Sequence, residues 1–521
     1  MTTAFGCQAQ GSEQDVDNNI YTVFQSRFPQ DRAKNVIETD EGRGYSYYDL
    51  ERESARYANF LTQLGIEPGD RVAVQVDKSP QTLFLYLGCL RAGCVYLPLN
   101  TAYTESEVAY FLGNAEPAVM VCRPQAHEKI AGLAADNGVN HVFTLDDRGE
   151  GSLPQQASQL AAEFDTVTCA TDTLAVILYT SGTTGRPKGA MITHGNLAAN
   201  GLALHEAWGW TQDDVLLHAL PIFHIHGLFV ACHCVLLAGG KMIFLRKFDV
   251  PAVKRLLPQA TVFMGVPTYY TRLLADPGFD KHTCRTMRLF TCGSAPLLEQ
   301  TFHAFQQRTG HTIVERYGMT ETGMNNSNPL AGPRVAGTVG PALPGVSVRV
   351  VDDTGQPVPP GAVGQLQVLG KNVFAGYWRM PENTAKEFTS DGYFRTGDLA
   401  KADENNYIAI VGRDKDMIIS GGLNIYPKEV EGLIDKLDGV AESAVIGVPH
   451  ADFGEAVTTV VVRTPGGDDI TETMIIQYLK EKLANYKIPK RVFFVDTLPR
   501  NTMGKVQKNR LREAYADTYE R

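Results

Sequence analysis

The sequence predicts an α/β protein with a large N-terminal domain of parallel sheets and helices, a β-rich subdomain, and a small α+β C-terminal domain. From about residue 35, short apolar runs alternate with helical patterns, which is typical of βαβ units and a mostly parallel sheet. From about residue 338 the chain is rich in Gly, Pro and Val, which favours β-hairpins. The final stretch after Arg413 alternates helices and strands again and is long enough for a separate small domain.

Individual segments support this architecture. Residues 71–76 (RVAVQV) and 118–122 (AVMVC) are predicted as buried strands, and residues 79–93 as a helix that ends at Gly93. Similar apolar runs recur at 174–180, 241–245, 261–266 and 288–293. For the C-terminal part we predict helix 429–437, strand 442–448, strand 457–463, helix 473–483 and strand 492–495.

The domain boundaries follow from these changes along the chain. Residues 1–20 contain no apolar run and are expected to form a flexible leader. Residues 21–412 form the predicted N-terminal domain and residues 413–521 the C-terminal domain. The main boundary therefore falls between Gly412 and Lys415.

Composition excludes several functional classes. The formal net charge of −10 argues against generic binding of nucleic acids or anionic membranes. The first twenty residues carry acids and no Lys or Arg, unlike a secretory or transit peptide, and no apolar stretch is long enough to span a bilayer. The nine cysteines include no C-x-x-C pair, so buried, reduced thiols and a cytoplasmic location are expected.

The strongest local motif is a loop rich in Gly, Ser and Thr that follows the predicted strand 174–180. Its sequence, TSGTTGRPKG, covers residues 180–189. Glycines let backbone N–H groups approach phosphate oxygens, while hydroxyl groups and cations add side-chain donors. The spacing is not that of a Walker A loop. Composition alone would also fit a flexible surface loop, but the position directly after a buried strand favours phosphate binding.

This loop closely resembles the signature of the adenylate-forming superfamily, which contains acyl-CoA synthetases, adenylation domains and luciferases. Further segments that resemble the superfamily follow in its order: 220–227 (LPIFHIHG), 293–296 (GSAP), 315–322 (ERYGMTET), 394–398 (FRTGD), 412–431 and 499–506 (PRNTMGKV). The resemblance covers nearly the whole chain and is closest to the malonyl-CoA synthetase branch. It implies ATP, Mg²⁺ and coenzyme A (CoA) as cofactor and substrates.

The resemblance implies an ATP/AMP site assembled from six separate parts of the chain. Asp398 and Arg413 would bind the ribose, and the strips at 293–295 and 315–320 would enclose the adenine. The complete expected set is Thr180, Ser181, Gly182, Thr183, Thr184, Gly185, Lys188, Gly293, Ser294, Ala295, Glu315, Arg316, Tyr317, Gly318, Met319, Thr320, Asp398, Arg413 and Lys505.

The resemblance also implies catalytic roles for Lys505, Glu321 and His224. Lys505 would contact the acid's carboxylate and the α-phosphate, Glu321 would ligate Mg²⁺ together with ATP phosphates, and His224 would form a gate beside the acyl pocket. Lys415 matches the superfamily's hinge, which makes the C-terminal domain mobile. Its rotation would withdraw Lys505 and bring Gly421 and Gly422 into the pantetheine tunnel.

The choice of acid depends on fewer residues. Malonate keeps one free carboxylate after activation, and that charge needs a cationic, preferably bidentate partner. Arg272, on a predicted helix next to Tyr269 and Tyr270, is the candidate, although an arginine at a helix end often only reaches towards solvent. The other expected acid-binding residues are His224, Ile225, Ser294 and Met324.

The resulting hypothesis is ATP-dependent ligation of malonate to CoA through malonyl-AMP. Two alternatives stay open: a ligase for methylmalonate, another small dicarboxylate, or a short-chain or aromatic acid, and a stand-alone adenylation enzyme that loads a carrier protein. The expected partners are small molecules, with no nucleic acid and no membrane, and the protein would be a monomer or a dimer.

Overall fold

The computed structural model describes residues 17–180, 187–501 and 504–519. The strands, in chain order, are β1 (Asn35–Thr39), β2 (Gly44–Ser46), β3 (Arg71–Gln75), β4 (Val95–Pro98), β5 (Val119–Cys122), β6 (His141–Thr144), β7 (Leu174–Thr180), β8 (Lys188–Thr193), β9 (Val215–His218), β10 (Lys241–Phe244), β11 (Val262–Gly265), β12 (Leu289–Cys292), β13 (Ile313–Met319), β14 (Gly323–Ser327), β15 (Val346–Val351), β16 (Gly364–Gly370), β17 (Gly376–Tyr377), β18 (Phe394–Ala402), β19 (Ile408–Arg413), β20 (Ile418–Ser420), β21 (Leu423–Ile425), β22 (Val440–His450), β23 (Gly454–Arg463) and β24 (Arg491–Val495).

The α-helices are α1 (Ile20–Gln25), α2 (Tyr47–Gln63), α3 (Pro80–Arg91), α4 (Glu105–Ala115), α5 (His127–Asp136), α6 (Ser152–Ala157), α7 (His194–Ala207), α8 (His233–Ala238), α9 (Val250–Leu256), α10 (Pro267–Ala275), α11 (Glu299–Thr309), α12 (Pro381–Glu387), α13 (Pro427–Ile434), α14 (Glu472–Lys480) and α15 (Lys508–Ala514). A π-helical turn, His226–Cys232, precedes α8. No helix in the described ranges is long and apolar enough to cross a membrane.

Two large sheets form the frame of the N-terminal part. One has the strand order β14-β13-β12-β11-β9-β10-β1-β2 and the other β17-β8-β7-β4-β3-β5-β6. The central strands are parallel neighbours, for example β9 with β10 and β3 with β4. Parallel strands align their carboxyl ends at one edge, so the loops that carry functional side chains meet there.

Local sequence explains why several helices begin where they do. Ser46, Thr104 and Thr193 each accept a hydrogen bond from the backbone of the third residue of α2, α4 and α7. In each case that third residue returns a bond to the cap, which satisfies two otherwise unpaired N–H groups. The predicted helix 79–93 is α3, and it is buried along its whole length.

The main core lies between the sheets and around α3. Helices α2 and α3 touch at Gly88, where an added Cβ would lie 2.6 Å from Cβ of Tyr57. A side chain there would push the helices apart, so this glycine is required by packing. Cys232 and Cys234, expected to be buried thiols, lie in this apolar core.

The change from βαβ units to antiparallel β-structure, predicted near residue 338, is confirmed. Strands β15, β16, β18 and β19 form an antiparallel sheet. After β19, a five-stranded sheet of β20 to β24 with α13 and α14 forms its own apolar core. The α/β fold class with a large N-terminal unit and a small α+β C-terminal unit is therefore confirmed.

Candidate active site

The centre of the site is a three-residue cluster on β13, β18 and β19. Asp398 and Arg413 are register partners on adjacent antiparallel strands, with 2.9 Å between Arg413 Nε and Asp398 Oδ1. The Tyr317 hydroxyl donates a hydrogen bond to Asp398 Oδ2 at 2.5 Å. Asp398 is almost completely buried. A carboxylate held this firmly can accept hydrogen bonds from two neighbouring hydroxyl groups, as a ribose presents.

Lys505 reaches this cluster from the C-terminal part of the chain. Burial, reinforced by the Arg413 cation, lowers the pKa of Lys505 to about 8, while Asp398 and Asp416 oppose the shift. Its loop is held by a Lys505 N–H bond to Asn501 Oδ1 at 2.9 Å. The Lys505 residue as a whole is exposed, although protein atoms surround its ammonium group.

Glu321 and Lys188 lie on either side of Tyr377. The Tyr377 hydroxyl donates to Glu321 Oε1 at 3.1 Å, and Lys188 Nζ lies 4.6 Å from the centre of the Tyr377 ring. Lys188 also pairs with Glu387 at 3.3 Å. Burial raises the pKa of Glu321. A nearby cation would stabilise the charged form of such a buried carboxylate. Carboxylate oxygens are hard ligands, which suit Mg²⁺.

Only the two ends of the predicted phosphate-binding loop lie among the described residues. Thr180 ends β7, Lys188 begins β8, and the two residues pair across the antiparallel strands. The loop ends are therefore placed beside Glu321 and Tyr377. The candidates Ser181, Gly182, Thr183, Thr184 and Gly185 lie outside the described residues, as does most of the predicted leader.

The strip Gly293-Ser294-Ala295 follows β12 and packs against Arg316. An added Cβ on Gly293 would lie 2.4 Å from Arg316 Nη1, so the glycine allows the guanidinium to approach the backbone. Ser294 has a left-handed φ of 70°, and its hydroxyl lies 3.2 Å from His226 Nδ1. Backbone strain of this kind in a non-glycine residue marks a position that the surrounding fold holds in place.

Arg316 carries a buried positive charge. Only 4% of the residue is exposed, and burial lowers its pKa to about 10. Its Nε and Nη2 have no hydrogen-bond partner, and it forms no ion pair with a carboxylate in the described parts of the chain. Arg316 also contributes to lowering the pKa values of His224 and His226, although burial is the larger cause.

His224, expected to border the acid pocket, lies near this charge. Burial lowers the pKa of His224 to about 4, so its ring is neutral at physiological pH. Ile225 and Met324 are buried apolar residues. Arg316, expected in the strips that would enclose the adenine, has its guanidinium against Gly293, and its charge acts on both histidines.

Arg272 lies at the edge of this region, on α10. It is exposed and lines a cavity of about 280 Å³ together with Tyr269, Arg500 and Gly504. Gly504 approaches α10 closely, since an added Cβ would lie 3.5 Å from Thr268 Oγ1. The structure therefore brings the Lys505 loop and Arg272 to the same cavity.

Of the residues expected to act in the second step, Lys415 lies near Asp398 and Arg413, whereas the two glycines lie elsewhere. Lys415 is in a single 3-10 turn, Asp414–Asp416, that directly follows β19. Gly421 and Gly422 form the exposed turn between β20 and β21, with φ values of 58° and 78°. Neither glycine is brought to the Asp398 cluster in this arrangement.

Tyr377 was missed by sequence reasoning. Its hydroxyl contacts Glu321 across 56 positions in the chain, and its ring contacts Lys188. No local pattern marks such a residue, because its role depends on the pairing of the short strand β17 with β8.

Comparisons with known proteins agree with this geometry. Residues 24–378 match the AMP-binding enzyme family, and residues 429–505 match its C-terminal domain. Relatives include a malonate–CoA ligase of Arabidopsis thaliana, 32% identical over 95% of this chain and 89% of that protein. A feruloyl-CoA synthase of an Amycolatopsis species is 37% identical over 91% of this chain and 94% of that protein.

Among solved structures, ATP-bound MatB from Rhodopseudomonas palustris superposes with a TM-score of 0.94 at 54% identity, covering 97% of this chain and 100% of MatB. The apo form of the same protein superposes with a TM-score of 0.83. The arrangement described here is thus nearer to the ATP-bound form. The chain belongs to the AMP-binding enzyme family.

Proposed function

We propose that this protein ligates malonate to CoA through malonyl-AMP, with release of AMP and pyrophosphate. The observation that carries the choice of acid is the buried Arg316 guanidinium near His224 and His226, which has no carboxylate partner among the residues that the structure describes. A buried charge without a counter-ion is costly, so the site favours a ligand that supplies a carboxylate. Relatives named as malonate–CoA ligases support the same choice.

In the first step, a malonate carboxylate oxygen attacks the α-phosphorus of ATP, and the bond to the leaving pyrophosphate breaks. Asp398 holds the ribose, and Lys505 places a positive charge where negative charge develops on the α-phosphate. Glu321 would hold Mg²⁺, which would supply further charge neutralisation on the ATP phosphates. His224, which is neutral, forms a wall of the acid pocket rather than a charged contact.

In the second step, the CoA sulfur attacks the carbonyl carbon, the thiol proton is released, and the bond to AMP breaks. Lys505 occupies the cleft in the present arrangement, so it must move to admit a thiol. We assign this movement to the turn at Lys415, between an N-terminal domain of residues 21–412 and a C-terminal domain of residues 413–521. Hinges of this kind are short segments at the ends of structural elements.

A panel of acids tests the proposal. The purified full-length chain is assayed with ATP, Mg²⁺, CoA and, in turn, malonate, methylmalonate, succinate, acetate and ferulate. We expect AMP formation with malonate to exceed that with acetate by about a hundredfold or more, because acetate leaves Arg316 unpaired. Comparable rates with acetate would overturn the assignment.

The feruloyl-CoA synthase relative defines a second candidate, activation of an aromatic acid. Ferulate has no second carboxylate, so it would enter the pocket without neutralising Arg316. A rate with ferulate above that with malonate would establish this alternative, and CoA-dependent AMP release without any carrier protein separates both from carrier loading.

A further inference from the structure

The position of the Lys505 ammonium group is electrostatically unfavourable. Burial lowers the pKa of Lys505 to about 8, and the cations Arg413 and Lys415 act in the same direction. The carboxylates Asp398 and Asp416 oppose that shift. Because a long charged side chain in such a place gains by turning towards water, the backbone that carries it must be held firmly. The contacts that hold the Lys505 backbone therefore bear on the reaction.

The backbone segments before and after Lys505 are hydrogen-bonded to each other. The Gln507 N–H donates to the Pro499 carbonyl oxygen at 2.8 Å. The Asn501 N–H donates to the Lys505 carbonyl oxygen at 2.9 Å. Arg500 lies between Pro499 and Asn501 in the chain, so these backbone contacts fix its place relative to Lys505.

The Arg500 side chain joins this segment to β22. Its Nη1 donates to the carbonyl oxygen of Gly504 at 2.5 Å, and its Nη2 pairs with Glu442 on β22. Gly504 directly precedes Lys505 and has a left-handed φ of 76°, which favours glycine. Since one planar guanidinium makes both contacts, it fixes the Gly504 peptide relative to β22.

Glu442 belongs to a group of carboxylates on and next to α13 and β22. Burial raises the pKa of Asp435 to about 7, and the charges of Glu431 and Glu442 act in the same direction. Lys508, the first residue of α15, pairs with Glu431 at 2.6 Å. Neighbouring carboxylates repel one another unless cations compensate them. This group therefore attracts Arg500 and Lys508, which lie on either side of the proposed catalytic lysine in the chain.

A direct contact between Arg500 and a substrate is the alternative role. Arg500 lines the cavity of about 280 Å³ that also contains Arg272. Both terminal nitrogens of Arg500 already have protein partners, Gly504 and Glu442. These contacts favour a role in holding the Lys505 segment over a role in binding substrate.

We propose that Arg500 is a positioning residue for Lys505. Anchored on Glu442, Arg500 holds the Gly504 peptide and thereby directs the Lys505 ammonium group towards the α-phosphate of ATP during adenylation. This inference rests on the proposed function in one respect, that Lys505 serves the adenylation step, and it adds the residues that support that role. Because Lys505 leaves the cleft before the thiol attacks, loss of the Arg500 contact affects the first half-reaction alone.

The test begins with malonate-dependent exchange of pyrophosphate into ATP, which measures adenylation without CoA. We expect full-length Arg500→Met to lower the maximum exchange rate about tenfold or more, with little change in KM for ATP, because a small misplacement of a reacting group is costly. Glu442→Gln should also lower the rate. The double variant should be no slower than Arg500→Met, since both changes remove one contact. An unchanged rate in either single variant would overturn the proposal.

A matched control checks the effect of breaking an ion pair in the same part of the chain. Arg491→Met removes an exposed arginine of β24 that pairs with Glu472 at 3.3 Å. Exposed pairs of this kind contribute little. This variant should exchange pyrophosphate at the wild-type rate, and a loss equal to that of Arg500→Met would count against a specific role for Arg500.

A variant that lacks Lys505 separates positioning from direct substrate contact. Lys505→Ala alone should be slow, and adding Arg500→Met should cause no further loss, because Arg500 acts through the missing ammonium group. A further loss of similar size would mean that Arg500 binds substrate or supports the fold by itself, which contradicts the proposal.

The second half-reaction and thermal unfolding provide the remaining readouts. Thioester formation from prepared malonyl-AMP and CoA should proceed at the wild-type rate in Arg500→Met. A merely structural role would lower both half-reactions together with the melting temperature, and that result would also refute positioning.

Failure of this proposal is distinguishable from failure of the proposed function. If Lys505→Ala is slow and Arg500→Met is not, only the positioning role fails. If wild type shows no malonate-dependent exchange, the choice of malonate fails, and the same variants are then compared with whichever acid of the panel wild type activates.

Discussion

Asp398 and Arg413 face each other on β18 and β19, with Arg413 Nε 2.9 Å from Asp398 Oδ1. The two residues are 15 positions apart in a hairpin, so local chain geometry is sufficient to bring them together. Tyr317 on β13 completes the cluster, and Lys505 enters it from the C-terminal part. The pair therefore lies where the N-terminal and C-terminal parts of the chain meet.

Replacing Asp398 tests whether this cluster binds ATP. We expect Asp398→Asn to raise KM for ATP about tenfold or more, because it removes a charged acceptor for the ribose and leaves Arg413 unpaired. Steady-state kinetics with varied ATP measure the change. Asp391→Asn, which breaks an exposed pair with Arg349, is the matched control and should leave KM for ATP unchanged.

Removal of Lys505 should separate the two half-reactions. Lys505→Ala should slow malonyl-AMP formation by about a hundredfold or more, the scale of one lost transition-state charge contact. Thioester formation from chemically prepared malonyl-AMP and CoA should stay near the wild-type rate. Lys480→Ala, an exposed lysine on α14, serves as control. Equal loss in both half-reactions would contradict a role confined to adenylation.

The pKa of Lys505 predicts a pH dependence. Because burial lowers that pKa to about 8, the ammonium is charged below pH 8 and loses its proton as the pH rises through 8. We expect kcat/KM for ATP in the adenylation step to decline above about pH 8, since this parameter reports the free enzyme. Lys505→Arg should lack this decline. A profile that stays flat to pH 10 in wild type would refute the assignment.

Arg316 should decide between malonate and uncharged acids. Arg316→Met should lower kcat/KM for malonate by about a hundredfold, with a smaller loss or a gain for propionate and butyrate, because the lost charge contact is specific to a dicarboxylate. The exposed Arg285→Met is the control. Thermal unfolding of both variants checks folding, and Arg272→Met in the same assay shows whether the exposed arginine contributes as well.

Tyr377 should affect the metal requirement. Tyr377→Phe removes the hydroxyl that donates to Glu321 Oε1, and loss of such a supporting bond lowers metal affinity by about tenfold or more. The Mg²⁺ concentration giving half-maximal adenylation measures this. Tyr407→Phe loses a comparable bond, to the Pro333 carbonyl oxygen, away from the site and should not change that concentration.

Sequence patterns predicted most of the secondary structure, because each element carries its own periodicity. The strand predicted at 174–180 is β7, the helix at 79–93 is α3, and the strand at 492–495 lies within β24. Lys505, Asp398 and Arg413 could be predicted as site residues because each lies in a segment that resembles a superfamily motif. Helix ends were less accurate: the helix predicted at 473–483 is Glu472–Lys480, and only its beginning has a side-chain cap, Thr471.

Other relationships required the tertiary structure. The burial of Arg316 without a carboxylate partner in the described part of the chain appears only once β12 and β13 are paired and Gly293 is packed against it. The contact of Tyr377 with Glu321 depends on β17 joining β8. The sequence alone thus determined the family chemistry and its motif residues. Burial and long-range packing decided which charges are left uncompensated, because solvent exclusion is a property of the folded chain.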